Sequence, residues 1–143
     1  MALDSFFKGV GDFVGNVFSA RGSLLIAAQR GDSAAIQKLL DANPDILGAT
    51  DPSGRTALHL AVLKGNQPVV ELLLQRGLPV NTQDKEGRTA LHAAAIKGNK
   101  EMALLLLANG ADLSVKDKDN YTAPQLAYVN KHEELADALE GRA

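Results

Sequence analysis

Apolar residues among the first eighteen positions recur at helical spacing: Leu3, Phe6, Phe7, Val10, Phe13, Val14, Val17 and Phe18. At ~100° per residue they fall within an arc of about 140°. The opposite face holds Asp4, Ser5, Lys8, Gly9, Gly11, Asp12, Gly15 and Asn16. The pattern predicts an amphipathic helix over residues 1–20, and all four phenylalanines of the chain lie in it. Each polar-face glycine costs about 1 kcal/mol of helix propensity relative to Ala. An isolated helix of this length is marginal in water, so the segment is expected to be helical only where its apolar face is covered. Three coverings fit. One is the rest of the chain, with the helix as an N-terminal cap. Another is a second copy or a partner's groove. The third is a lipid surface, for which a weakly charged polar face is suited. The docking residues would be Phe6, Phe7, Val10, Phe13, Val14, Val17 and Phe18, and four buried phenylalanines contribute several kcal/mol at ~25 cal/mol per Å2.

After residue 20 the pattern changes to paired apolar blocks separated by short polar, glycine-containing stretches. Helices are predicted around Thr56–Lys64 and Pro68–Arg76, and again around Thr89–Lys97 and Glu101–Asn109. The two pairs are copies at a fixed interval. Asp51, Asp84 and Asp117 are 33 residues apart, as are Gly54 and Gly87, Thr56 and Thr89, His59 and His92, Gly65 and Gly98, and Gly77 and Gly110. A period of this size signals stacked supersecondary units, each unable to bury its own apolar face.

The repeated sentence Asp51-Pro-Ser-Gly-Arg-Thr-Ala-Leu-His59, with its second copy from Asp84 to His92 and the Gly110-Ala111-Asp112 closure, resembles the ankyrin repeat. The match spans about four fifths of the chain if two degenerate end copies are counted. Ala57 and Ala90 stand where the family has Pro, and Leu78-Pro79 departs from the usual Ala-Asp. The resemblance implies an all-α solenoid of stacked helix pairs joined by β-turn loops. Its divisions are an N-terminal amphipathic segment at 1–20, a degenerate first repeat at 21–50, full repeats at 51–83 and 84–116, and a degenerate fourth at 117–143. In the first, Arg21-Gly22-Ser23 reads as a hinge with Ser23 as helix N-cap, and Lys38 replaces the Leu72 of the next copy. In the fourth, Pro124 and Gln125 replace the Leu-His pair, and Asp137 and Glu140 replace Leu104 and Leu107. These are expected as capping units that end the stack with polar faces.

Composition narrows the function. A formal charge of −2 argues against a general nucleic-acid binder. The absence of cysteine rules out disulfides and thiol catalysis and favours a cytoplasmic location. No apolar run reaches the ~20 residues of a membrane span, and no secretory signal pattern is recognisable. His59 and His92 are the obvious candidates for chemistry, but one repeat apart means a helix spacing of ~8–10 Å, too far to share a zinc bound at ~2 Å. Gly54 and Gly87 are followed by no Gly-Lys-Ser/Thr phosphate signature. No catalytic residue, metal, cofactor or small-molecule substrate is therefore expected, and the chain is not expected to be an enzyme.

What the resemblance implies instead is binding. In ankyrin repeats the Thr and His tie the turn to the helix start, and the turn tips and inner-helix ends line a concave groove. Carried onto this sequence, the partner-binding candidates are Arg55, Leu63, Lys64, Lys85, Arg88, Ile96, Lys97 and Tyr121. The register makes an apolar line, Leu63 and Ile96, flanked by two basic lines. The expected function is a non-enzymatic protein–protein interaction module, an adaptor, inhibitor or recruiting protein, with a protein partner. The alternative is a peripheral membrane or assembly and targeting protein, in which residues 3–18 dock to lipid, another copy or a receptor.

Overall fold

The computed structural model describes residues 19–141. The N-terminal segment with Phe6, Phe7, Val10, Phe13, Val14, Val17 and Phe18 lies outside the described residues. Eight α-helices, arranged as four pairs, make up the rest. They are α1 (Ala20–Arg30) with α2 (Ser33–Ala42), α3 (Ala57–Lys64) with α4 (Gln67–Gln75), α5 (Ala90–Lys97) with α6 (Lys100–Ala108), and α7 (Ala123–Val129) with α8 (Glu133–Leu139). A short 3-10 turn, Pro44–Ile46, follows α2. No extended strand occurs among the described residues; only an isolated antiparallel bridge joins Thr50 to Thr56. The fold is thus an all-helical solenoid of stacked pairs.

Local chemistry explains the helix starts. Thr56 and Thr89 each begin a helix in extended conformation, and their side chains accept from the backbone N–H of His59 and His92. The histidine in turn reaches back to the cap, closing a reciprocal capping box. In the fourth pair Thr122 and Gln125 do the same with an amide in place of the imidazole. Ser19, rather than Ser23, caps α1: its Oγ accepts from Gly22 N–H at 3.1 Å. The Arg21-Gly22-Ser23 stretch is therefore helical and not a hinge, because Ser19 supplies the acceptor one turn earlier and Gly22 is buried within the helix.

The inner helices α1, α3, α5 and α7 stack in order, and each also packs on its own outer helix. Their sides are almost wholly apolar: Ala57, Leu58, Leu60, Ala61 and Val62 are all buried on α3, and Ala90, Leu91, Ala93, Ala94 and Ala95 on α5. Each outer helix buries one stripe, with Leu73, Leu106 and Leu139 in the same register. Buried leucines of this kind contribute about 1.5–3 kcal/mol each, and they do so only because a neighbouring unit covers them. Side chains also staple unit to unit. Asn66 Nδ2 donates to the Ala28 carbonyl at 3.2 Å, and His132 Nε2 bonds the Ile96 carbonyl at 3.0 Å.

Candidate functional site

The turns that precede α3, α5 and α7 are built on one device. Asp51 Oδ1 accepts from Ser53 N–H and Arg55 N–H, both at 2.9 Å. Asp84 Oδ1 holds Glu86 and Arg88 in the same way, and Asp117 Oδ1 holds Asp119 and Tyr121. A carboxylate that takes two backbone N–H groups fixes the tip and presents the side chains between them outward. Successive tips are then tied together through the main chain. Lys85 N–H donates to the Ser53 carbonyl and Lys118 N–H to the Glu86 carbonyl, each at 3.0 Å. Gly87 approaches the next tip closely. It has φ +74°, and a Cβ there would lie 3.0 Å from the Lys118 nitrogen, so both backbone conformation and space require glycine.

The two histidines sit beneath the tips. His59 is 2 % exposed and His92 1 %. In each, Nδ1 accepts from the Thr backbone N–H at 3.1 Å. Nε2 then donates to a carbonyl of the next turn, Arg88 at 2.8 Å and Tyr121 at 3.0 Å. The carbonyl partner requires the proton on Nε2 and leaves Nδ1 as acceptor, which is the neutral tautomer. Burial pushes both imidazoles below their ordinary pKa, against the raising effect of those carbonyl bonds. Every ring nitrogen is thus used in holding turn to helix. Among the described residues no group of three or more His, Cys, Asp or Glu could hold a metal ion.

The candidate binding residues occupy the tips and the inner-helix ends. Lys64, Lys85, Lys97 and Tyr121 are exposed; Arg55, Leu63, Arg88 and Ile96 are half-buried. Leu63 and Ile96 rest against the core with part of their surface outward. Lys64 and Lys97 also occupy the last turns of α3 and α5, where a cation is favoured by the helix dipole. The two arginines differ. Arg88 Nε donates to Asp117 Oδ2 at 3.3 Å, with the Asp117 side chain only 1 % exposed. Arg55 has no such partner among the described residues. Burial opposes ionisation of Asp117, but the N–H groups of Tyr121 and Asp119 and the Arg88 guanidinium hold its carboxyl below the ordinary carboxylate pKa.

The most exposed of the large hydrophobic residues described is missing from the sequence-derived set. Tyr128 is 63 % exposed, although it stands in the register of Val62 and Ala95, both buried. A tyrosine where the other copies carry buried aliphatic side chains is the signal that marks it.

The family model of ankyrin repeats (3 copies) matches residues 24–117 and 79–140. Over 66 residues the chain is 44% identical to the serine/threonine-protein kinase VIK of Arabidopsis thaliana, which covers 46% of this chain and 15% of that protein. It is 38% identical over 60 residues to the palmitoyltransferase akr1 of Schizosaccharomyces pombe, 42% of this chain and 9% of that one. It is 39% identical over 57 residues to the human 26S proteasome non-ATPase regulatory subunit 10, 40% of this chain and 25% of that one. The chain therefore spans at most 25% of the length of these three curated relatives.

Proposed function

Because the chain belongs to the ankyrin-repeat family, a fold whose repeats mediate protein–protein interaction, we propose that it is a non-enzymatic adaptor, inhibitor or recruiting module. Its partner segment lies along the turn tips and inner-helix ends, over Arg55, Leu63, Lys64, Lys85, Arg88, Ile96, Lys97 and Tyr121. The observation that carries this reading is the backbone ladder from tip to tip. It sets outward side chains at a fixed repeat, as a surface that reads an extended partner requires. The exposed cations Lys64, Lys85 and Lys97 beside half-buried Leu63 and Ile96 suit an acidic segment with interspersed apolar residues. Charge of this kind steers encounter and sets specificity.

The test is an amide-shift titration of the full chain with a peptide alternating glutamate and leucine. Saturable shifts should be confined to the tips and the ends of α3 and α5, weaken with salt, and fall away in Arg55→Glu. Arg55 is the cleaner position for charge reversal, since Arg88→Glu also breaks the bond to Asp117 and should lower the melting temperature. Shifts confined to the outer helices, or none up to about 1 mM peptide (about −4 kcal/mol of binding), would remove this groove from consideration.

A further inference from the structure

The face of the fourth pair that points away from the third is unlike the rest of the surface. Tyr128 is 63 % exposed, Val129 56 % and Tyr121 38 %. Tyr128 takes the place of Val62 and Ala95, which are 1 % and 0 % exposed. Gln125 takes the place of His59 and His92. Its Oε1 accepts from Thr122 N–H at 2.9 Å, so its amide N–H groups stand where the histidines supply the donor to the next turn. The inner helix thus keeps the apolar surface and the donor that the other units use to receive a neighbour.

Between α7 and α8 this face forms a cavity of about 320 Å3, lined by Tyr121, Gln125, Tyr128, Val129, Asp137 and Glu140 among others. That is the low end of the ~300–1,000 Å3 range of ligand pockets, room for a side chain or two rather than for an extended chain. Two aromatic rings and two carboxylates line it, and no cation does among the described residues. Asp137 is in no ion pair among the described residues. Aromatic faces attract cations, and carboxylates strengthen that preference. The same carboxylates repel nucleic-acid phosphates and anionic lipid.

We propose that this cavity docks a protein segment presenting an arginine or lysine flanked by apolar residues. The cation lies against Tyr128 and Tyr121 with Asp137 as counter-charge, its aliphatic stem runs along Val129, and the Gln125 amide donates to a backbone carbonyl of the segment. The charge preference is opposite to that of the turn tips, so the two surfaces select different partners, and they meet at Tyr121, which belongs to both.

The composition supplies a reporter. The chain has two tyrosines and no tryptophan, and both tyrosines line the cavity. In a Tyr121→Phe background, emission comes from Tyr128 alone and is separated from the turn tips. The full chain in this background is titrated with a capped peptide alternating leucine and arginine, and with its glutamate counterpart. The expected result is a saturable change with the arginine peptide, at least about tenfold tighter than with glutamate. It should weaken with added salt and in Asp137→Asn, and be unchanged in Arg55→Glu. Three results would overturn the proposal: no saturable change up to about 1 mM, equal response to both peptides, or indifference to Asp137→Asn. A Tyr128 signal that changes on dilution of the chain alone would assign the face to a second copy and overturn it too.

Discussion

His59 Nε2 lies 2.8 Å from the carbonyl oxygen of Arg88, 29 residues further along the chain. His92 repeats the relation with Tyr121 at the same separation. Each carbonyl bond needs a proton on Nε2, the Nδ1 that accepts from the Thr backbone N–H must carry none, and burial holds both pKa values below the ordinary 6.5. The unfolded chain therefore binds protons in preference to the folded one as pH drops through 6.5. The stability these rings contribute is complete above that value and is lost progressively below it, until the folded-state pKa is passed. Thermal melts from pH 7.5 to pH 5 should show a falling melting temperature. The double variant His59→Gln, His92→Gln should show a flatter profile, because glutamine already closes the same cap at Thr122 without titrating. An equally steep profile in the variant would assign the pH dependence elsewhere.

Residues 65, 98 and 131 share one register and one left-handed conformation, with φ of 74°, 70° and 66°. Gly65→Ala should cost the conformational penalty alone, about 1–2 kcal/mol, since the new Cβ meets nothing closer than 3.9 Å. Gly98→Ala should cost clearly more. Its Cβ would fall 2.5 Å from His132 Nδ1 and displace the ring that bonds the Ile96 carbonyl. Removing the ring by His132→Ala should make the excess disappear in a double-mutant cycle read by urea unfolding. Lys131, a side-chain-bearing residue in the same backbone state, gives the opposite expectation: Lys131→Gly should stabilise by about 0.5–1 kcal/mol.

The start of α1 is tested by two serines four residues apart. Ser19→Ala should destabilise by about 1 kcal/mol, a drop of about 4 °C in melting temperature for a chain of this size. Ser23→Ala should change it little, since Ser23 lies inside the helix and caps nothing. Equal losses in the two variants would show that the cap is not at Ser19.

The second and third helix pairs were legible in the sequence because each leaves a local mark within a few residues: Thr and His three apart, glycine at the helix end, and an apolar block between. The start of α1 was not. Ser23 stands directly before the leucines of that helix and looks like a cap, whereas Ser19 sits before Gly22, whose presence in a helix interior runs against propensity. Burial overrides that preference. The groove candidates were placed by register alone, and register carries no information on what each side chain touches. Arg55 and Arg88 are equivalent in sequence, and the next unit places a carboxylate 29 residues after each, Asp84 and Asp117, but among the described residues only Arg88 pairs with its own. The exposure of Tyr128 was hidden for a related reason. A position buried in two copies is buried by the next unit, not by its own residue type.

The ladder from the Ser53 carbonyl to Lys85 N–H and from the Glu86 carbonyl to Lys118 N–H involves no side-chain atom. The spacing of the tips is therefore written in the main chain, and what each tip displays is written separately in its side chains. Residues 85 and 118 can be exchanged for any residue but proline, which lacks the N–H donor, without altering the pitch of the surface. Under the proposed function the metric of recognition and its vocabulary are separate variables, and a new specificity is engineered by changing the second while leaving the first untouched.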